Sequence, residues 1–174
     1  IALAVGVPFL LVLAIPALSL HTGWPDARNR PEGSPPRVAF DLLTDGFGIG
    51  ANAPLLVVID LTDAEPDAAA TISERLGQLP EVQQVTPPLP NDDGTSAIVQ
   101  VTPSSGPEDE ATADLVRIIR AQTALEEETG ASLEVTGATA FYIDISERLN
   151  DRLPIFIAAV VVLSFVLLTA VFRA

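Results

Sequence analysis

Apolar and polar residues follow three rhythms along this chain. At the two ends they do not alternate at all. Residues 1–20 carry no ionisable side chain, and residues 153–172 form a second apolar block closed by Arg173. A helix needs about 20 apolar residues to cross the core of a bilayer, so each block predicts a transmembrane helix. Pro154, at the head of the second block, predicts a kink or a restart. Pro8 and Pro16 in the first block fit a membrane helix, which accepts proline more readily than a soluble one. Between the blocks the rhythm shortens to twos and to threes and fours, the periods of half-buried strands and amphipathic helices.

Val38, Phe40, Leu42 and Leu43 fit a short helix, which Gly46, Gly48 and Gly50 then break. Pro54 and Asp60 bound a continuous apolar, β-branched run that predicts a strand covered on both faces. Beyond Pro66 a helix is predicted to about Leu79, with Ala69, Ile72, Leu76 and Leu79 on one face and Pro80 as its stop. Residues 82–86 read as a short strand, and Pro87, Pro88 and Pro90 place it at a sheet edge. Asn91-Asp92-Asp93-Gly94 is a hairpin turn signal. Residues 96–102 alternate, with Ala97, Val99 and Val101 on one face. Ser105 and Glu108 have capping-box spacing. The helix that follows carries Ala111, Leu115, Ile118, Gln122 and Leu125 along one stripe and stops at Gly130. Leu133 and Val135 mark a last strand. Phe141, Ile145, Leu149 and Leu153 then recur every four residues on an amphipathic helix that leads to the second apolar block.

The order strand, helix, strand, strand, helix, strand is that of the split βαβ, or ferredoxin-like, unit. The predicted class is therefore α+β: a ferredoxin-like βαββαβ domain flanked by two transmembrane α-helices. The expected boundaries are residues 1–20 for the first span and 21–36 for a linker. The domain covers 37–138, the amphipathic helix 139–153 and the second span 154–174. This topology puts the first and third strands in the centre of the sheet, with both helices on one face. The other face of the first strand then needs a partner domain. Trp24, just past the first block, suits the headgroup region, and Arg173 after the second places that end in the cytoplasm. Residues 21–153 are thus expected outside the cytoplasm, in a piece of a longer multi-pass protein of the cell membrane.

Composition narrows the chemistry. The formal net charge is -14, every Asp and Glu lies between Asp26 and Asp151, and all 9 basic residues are Arg. No basic face is available for nucleic acid. With no Cys and a single His, His21, neither a disulfide framework nor a thiolate or histidine metal cluster can form. Asp92-Asp93 and Glu108-Asp109-Glu110 lack EF-hand spacing and read as solvated surface. No Ser-His-Asp, Cys-His or paired-carboxylate arrangement offers a catalytic group. No cofactor, metal or enzymatic activity is expected.

Gly46-Phe47-Gly48-Ile49-Gly50 invites a phosphate-loop reading, but it closes a helix and precedes a strand, the reverse of the dinucleotide fingerprint. It reads as a backbone hinge. Phe47 within it is either core or lining for a lipid path. Phe141 and Tyr142 are either packing residues or part of a cavity that an apolar substrate enters. Asp144 and Glu147 lie close to Arg148 and Arg152, and an acidic-to-Arg pair three to four apart, as Asp144 is from Arg148, supports a helix. Asp144, Arg148 and Arg152 are alternatively candidates for coupling the domain to the span.

Several stretches carry a resemblance. They are Gly23-Trp24-Pro25-Asp26, Arg30-Pro31-Glu32-Gly33-Ser34-Pro35 and the run from Phe40-Asp41-Leu42-Leu43 through Gly46-Phe47-Gly48-Ile49-Gly50 to Leu55-Leu56-Val57-Val58. Gly137-Ala138-Thr139-Ala140-Phe141 joins them, with Asp144, Ser146, Arg148-Leu149 and Asp151-Arg152-Leu153-Pro154. Together they resemble the MMPL branch of the resistance-nodulation-division (RND) transporters, and most closely the second of that family's two porter repeats. The resemblance implies a proton-motive-force-driven exporter of lipids or other hydrophobic compounds. Its expected partners are membrane lipid, the paired porter domain of the full-length chain and the hydrophobic substrate. The family's proton-relay residues lie on other helices. Read without the resemblance, the same layout also fits an extracytoplasmic sensor domain of a two-span receptor.

Overall fold

The computed structural model describes residues 27–173. The first apolar block, His21 and Trp24 lie outside the described residues. After a 3-10 turn at Ala27–Asn29, helix α1 spans Pro35–Phe47. It starts inside the expected linker because Ser34 is extended (φ -69°, ψ 144°) and two prolines occupy the first turn, where no N–H is missed. The three glycines do not act alike. Gly46 is simply helical. Gly48, at φ +86°, ends α1, and its N–H caps the Thr44 carbonyl. Gly50 lies in the 3-10 turn Ile49–Asn52, where a Cβ would sit 1.6 Å from the Pro103 carbonyl oxygen. Only glycine permits that approach.

Strand β1, Leu55–Asp60, is the centre of the sheet. The other strands are β2 (Val82–Val85), β3 (Leu89–Pro90), β4 (Ser96–Pro103) and β5 (Ser132–Thr136). The order is β2-β4-β1-β5, antiparallel throughout, with β3 also on β4. This is the ferredoxin-like arrangement, with the apolar run and the cleanly alternating run at the centre. The edge is broken where Pro87 and Pro88 cannot donate. Thr86 keeps the ladder there, its N–H donating to Gln100 O at 2.9 Å and its Oγ1 accepting from Gln100 N at 2.9 Å.

Helix α2 is Ala68–Gly77 and α3 is Glu110–Arg120. Leu55, Val57 and Ile59 point at them, opposite Val101, Val99 and Ala97, and all six side chains are buried. Ile72 and Leu76 of α2 and Leu115, Val116 and Ile119 of α3 complete this layer. Among the described residues, no element covers the second face of β1. Leu56 and Val58 are half-buried there, and Ile98, opposite Val58, is exposed.

Several local expectations fail in the second half. The single helix expected to run as far as Gly130 is two, α3 and then α4 at Thr123–Thr129. The buried stripe is Thr112, Leu115, Val116 and Ile119, while Ile118 is exposed. Continued in phase, that stripe would drive Gln122, Thr123 and Glu126 into the core. The break at Ala121-Gln122 rotates the chain so that Leu125 and Thr129 are buried instead. Gly130, at φ +69°, closes α4 as expected. The Ser105–Glu108 capping box does not form. Asp109 precedes α3 and its Oδ2 accepts from Gly106 N at 2.6 Å, while Ser105 Oγ meets Thr112 Oγ1 at 2.8 Å.

Helix α5 is continuous from Ala138 to Arg173 and passes through Pro154 without a restart. Its apolar stripe is also not where the four-residue repeat suggests. Thr139 and Ala140 are buried and Ile143 packs against the core, whereas Phe141, Leu149 and Leu153 are exposed.

Candidate functional site

Two apolar surfaces and one polar junction stand out. The first surface is the outward face of α1. Positions 38, 39, 42, 43, 46 and 47 fall on one side of a helix, and here they are Val38, Ala39, Leu42, Leu43, Gly46 and Phe47, all exposed. Leu42 is 66% exposed and Phe47 69%. The opposite side holds the helix to the body. Phe40 is buried beneath the Arg28 guanidinium, 5.8 Å from its ring centre. Arg37 Nε bonds both Asp41 oxygens at 2.9 and 3.0 Å, and its other arm donates to the Arg28 carbonyl. Asn52 Nδ2 donates to Thr44 Oγ1 at 3.0 Å. Phe47 is therefore not core, and its carbonyl accepts from Gln83 Nε2 at 3.0 Å.

The second surface is the base of α5. Phe141 is 60% exposed, and its ring meets that of the half-buried Tyr142 edge-on, with centroids 5.8 Å apart. Phe47 belongs to α1 and Phe141 and Tyr142 to α5, so the three expected lining residues come from two separate elements.

The polar junction lies between α3 and α5. Arg120 Nη1 and Nη2 donate to the two oxygens of Asp144 at 2.6 and 3.0 Å, and Nη2 also reaches the Val135 carbonyl at 3.3 Å. Arg117 bonds Glu147 Oε1 through Nε at 2.9 Å and Nη2 at 2.7 Å, and Asp114 at 2.5 Å. The hydrogen bonds from Arg120 hold the Asp144 carboxyl below its ordinary range, and the nearby Arg148 charge adds to this. Glu147 likewise raises Arg117, and Asp144 raises Arg120. Asp144 thus pairs across to α3. Among the described residues no salt bridge joins it to Arg148, and Arg148 and Arg152 are exposed. Arg117 and Arg120 went unnoticed in the sequence. Their spacing of three matches that of Asp144 and Glu147, and this was the available signal.

Elsewhere a shallow depression of about 520 Å³ is lined by Asp60, Thr62, Glu126 and Glu127 among others. Asp60 accepts from Thr62 N and Oγ1 at 3.0 and 2.7 Å, which lowers its pKa. Among the described residues no group of His, Cys, Asp or Glu is arranged to hold a metal ion.

From Arg148 to Arg173 every residue of α5 is exposed, and the helix is long and apolar enough to cross a membrane. A ferredoxin-like body whose last helix continues as an apolar span is an α+β domain joined to a candidate membrane helix. The chain belongs to the MMPL family of the RND superfamily, whose family model matches residues 42–174. It is 44% identical over 167 residues to the membrane protein YdfJ of Bacillus subtilis, covering 94% of this chain and 23% of that protein. It is 29% identical to the mycolic acid-containing lipids exporter MmpL11 of Mycolicibacterium smegmatis, covering 94% of this chain and 18% of that one. The heme uptake protein MmpL11 of Mycobacterium tuberculosis is 30% identical, with 91% and 17% covered. A solved structure titled mycobacterial membrane protein MmpL11D2 aligns with a TM-score of 0.35 and 22% identity, over 47% of this chain and 99% of that one. The chain thus spans less than a quarter of the length of these curated relatives. It is part of a membrane protein, and its α+β unit is the extracytoplasmic porter domain.

Proposed function

We propose that this chain is a segment of a proton-motive-force-driven exporter of lipids or other hydrophobic compounds. Residues 37–138 form its porter domain, 139–153 the connection, and 1–20 and 154–174 two of its spans. The domain supplies cavity walls and a link to the membrane helices, and the proton relay lies elsewhere in the full-length chain. One observation carries this reading. The outward face of α1, ending in Phe47, is apolar and unused by the domain's own core. An exposed apolar patch of that kind marks a binding surface. With Phe141 and Tyr142 it offers aromatic and aliphatic walls to an apolar cargo. The open face of the sheet around Val58 and Ile98 is left for the paired porter domain. The exporter named among the relatives handles lipids, which agrees in chemistry. The two-span sensor is set aside because the family match extends through the domain and α5.

The test is the lipid profile of a strain lacking the gene, complemented with the wild type or with a Leu42→Glu/Phe47→Glu variant. Intracellular accumulation of a lipid class, cured by the wild type and not by the variant, is expected. An unchanged profile in the deletion strain overturns the export reading.

A further inference from the structure

Helix α5 leaves the domain with little to hold its direction. Its own buried contribution is Thr139 and Ala140, with Ile143 partly packed, and nothing from Arg148 onward is covered. It starts at Gly137, whose φ of +108° only glycine adopts readily and whose Cβ would lie 3.3 Å from the Pro54 carbonyl. A long helix attached through such a residue would swing about it. Two to three helical turns further on it meets a pair of contacts, Arg120 to Asp144 and Arg117 to Glu147. Arg120 also ties the same point to β5 through the Val135 carbonyl. Two parallel guanidinium-carboxylate contacts fix an angle as well as a distance.

We propose that Arg117 and Arg120 are positioning residues. They brace α5 against α3 and β5 so that displacement of the membrane helix turns the porter domain as one body, with Gly137 as the pivot they lock. Arg148 and Arg152 have no part in the brace. Exposed pairs of this kind add little to global stability, so their effect falls on the angle of α5 and not on folding. The inference rests on the transporter reading only for what the turning accomplishes.

The brace is tested in the full-length protein, in lipid nanodiscs, on a cysteine-free background. Spin labels at Glu74→Cys on α2 and Leu149→Cys on α5 report the distance distribution between body and helix. A narrow distribution is expected for the parent. Arg117→Ala/Arg120→Ala should broaden it about twofold, since the helix then samples several orientations. The exchange Arg120→Asp/Asp144→Arg should recover most of the width, and Arg148→Ala/Arg152→Ala should leave it unchanged. Thermal unfolding of each variant confirms that the domain stays folded. An unchanged width in Arg117→Ala/Arg120→Ala overturns the brace, as does a width that follows Arg148 and Arg152. The same variants in the complementation assay separate the two proposals. Broadening without any lipid phenotype in the deletion strain removes the export reading and leaves the brace.

Discussion

Helices α1 and α3 are both amphipathic, and they use that property in opposite ways. Helix α3 turns Leu115, Val116 and Ile119 into the domain's own core, where each is almost wholly buried. Helix α1 buries Phe40 alone and presents Leu42 and Phe47 outward. The polar side of α1 faces inward, through Arg37, Asp41 and Thr44, onto Arg28 and Asn52. An apolar stripe therefore announces that a surface will be covered, without saying by what. In a soluble domain the default cover is the core. In a domain whose last helix continues as an apolar span, the cover can instead come from outside the domain.

The sharpest way to break this comparison is to separate α1 from the body. Gly50→Ala places a methyl group where the Pro103 carbonyl stands, and neither backbone can yield cheaply. A loss on the order of 4 kcal/mol is expected, at the exceptional end for one substitution. Limited proteolysis should then cut first between Gly48 and Pro54, and survival of that segment at wild-type rates would show that the turn is slack. Next in size is Leu115→Ala in α3, expected to cost about 3 kcal/mol in unfolding experiments. Leu42→Ser in α1 should cost under about 0.5 kcal/mol in the same measurement, yet abolish complementation of the deletion strain. If it destabilises as much as Leu115→Ala, the α1 face is packed against protein and not open to cargo.

The same comparison explains what the sequence could convey. Strand order was legible because each strand carries its own signal: the β-branched run at 55–59, the alternation at 97–101, the prolines at 87–90 that mark an edge. These are local signals, and local physics satisfied them. The direction in which α1 faces was not legible, because Val38, Phe40, Leu42 and Leu43 give a helix two apolar sides and only tertiary contact selects Phe40. The break between α3 and α4 was hidden for a related reason. Neither Ala121 nor Gln122 is a helix breaker, and it is the re-phasing of Leu125 into the core that interrupts the helix. The junction between α3 and α5 was masked by a local alternative. Asp144 and Arg148 are four apart and satisfy an intrahelical pairing rule, so nothing in the sequence demanded the partner 24 residues upstream that the fold supplies. Phe47, Phe141 and Tyr142 each read equally well as core or as cavity lining, because an aromatic side chain suits either; the fold leaves Phe47 and Phe141 exposed and Tyr142 half-buried.

The smallest expected effect concerns that junction and acidity. The Asp144 carboxyl titrates below its ordinary value, chiefly because Arg120 donates to its charged form. A carboxylate held down in this way contributes stability that is complete above its unfolded pKa of about 3.9. That contribution is lost as pH falls through the lower, folded value. Between pH 7 and pH 5 nothing should change, and below about pH 4 a few tenths of a kcal/mol should disappear, small because the pair is solvent-screened. The side chains of Arg120 and Asp144 are 35% and 38% exposed. Asp144→Asn should remove this acid limb, measured as the difference between wild-type and variant unfolding free energies across pH. A difference that instead grows between pH 7 and pH 5 would mean that the carboxylate is already taking up protons there. The sign matters for the brace. An Asp144 carboxylate that stays ionised over that whole range holds its contact to Arg120 without sensing protons, as a link must if proton coupling is carried by other helices.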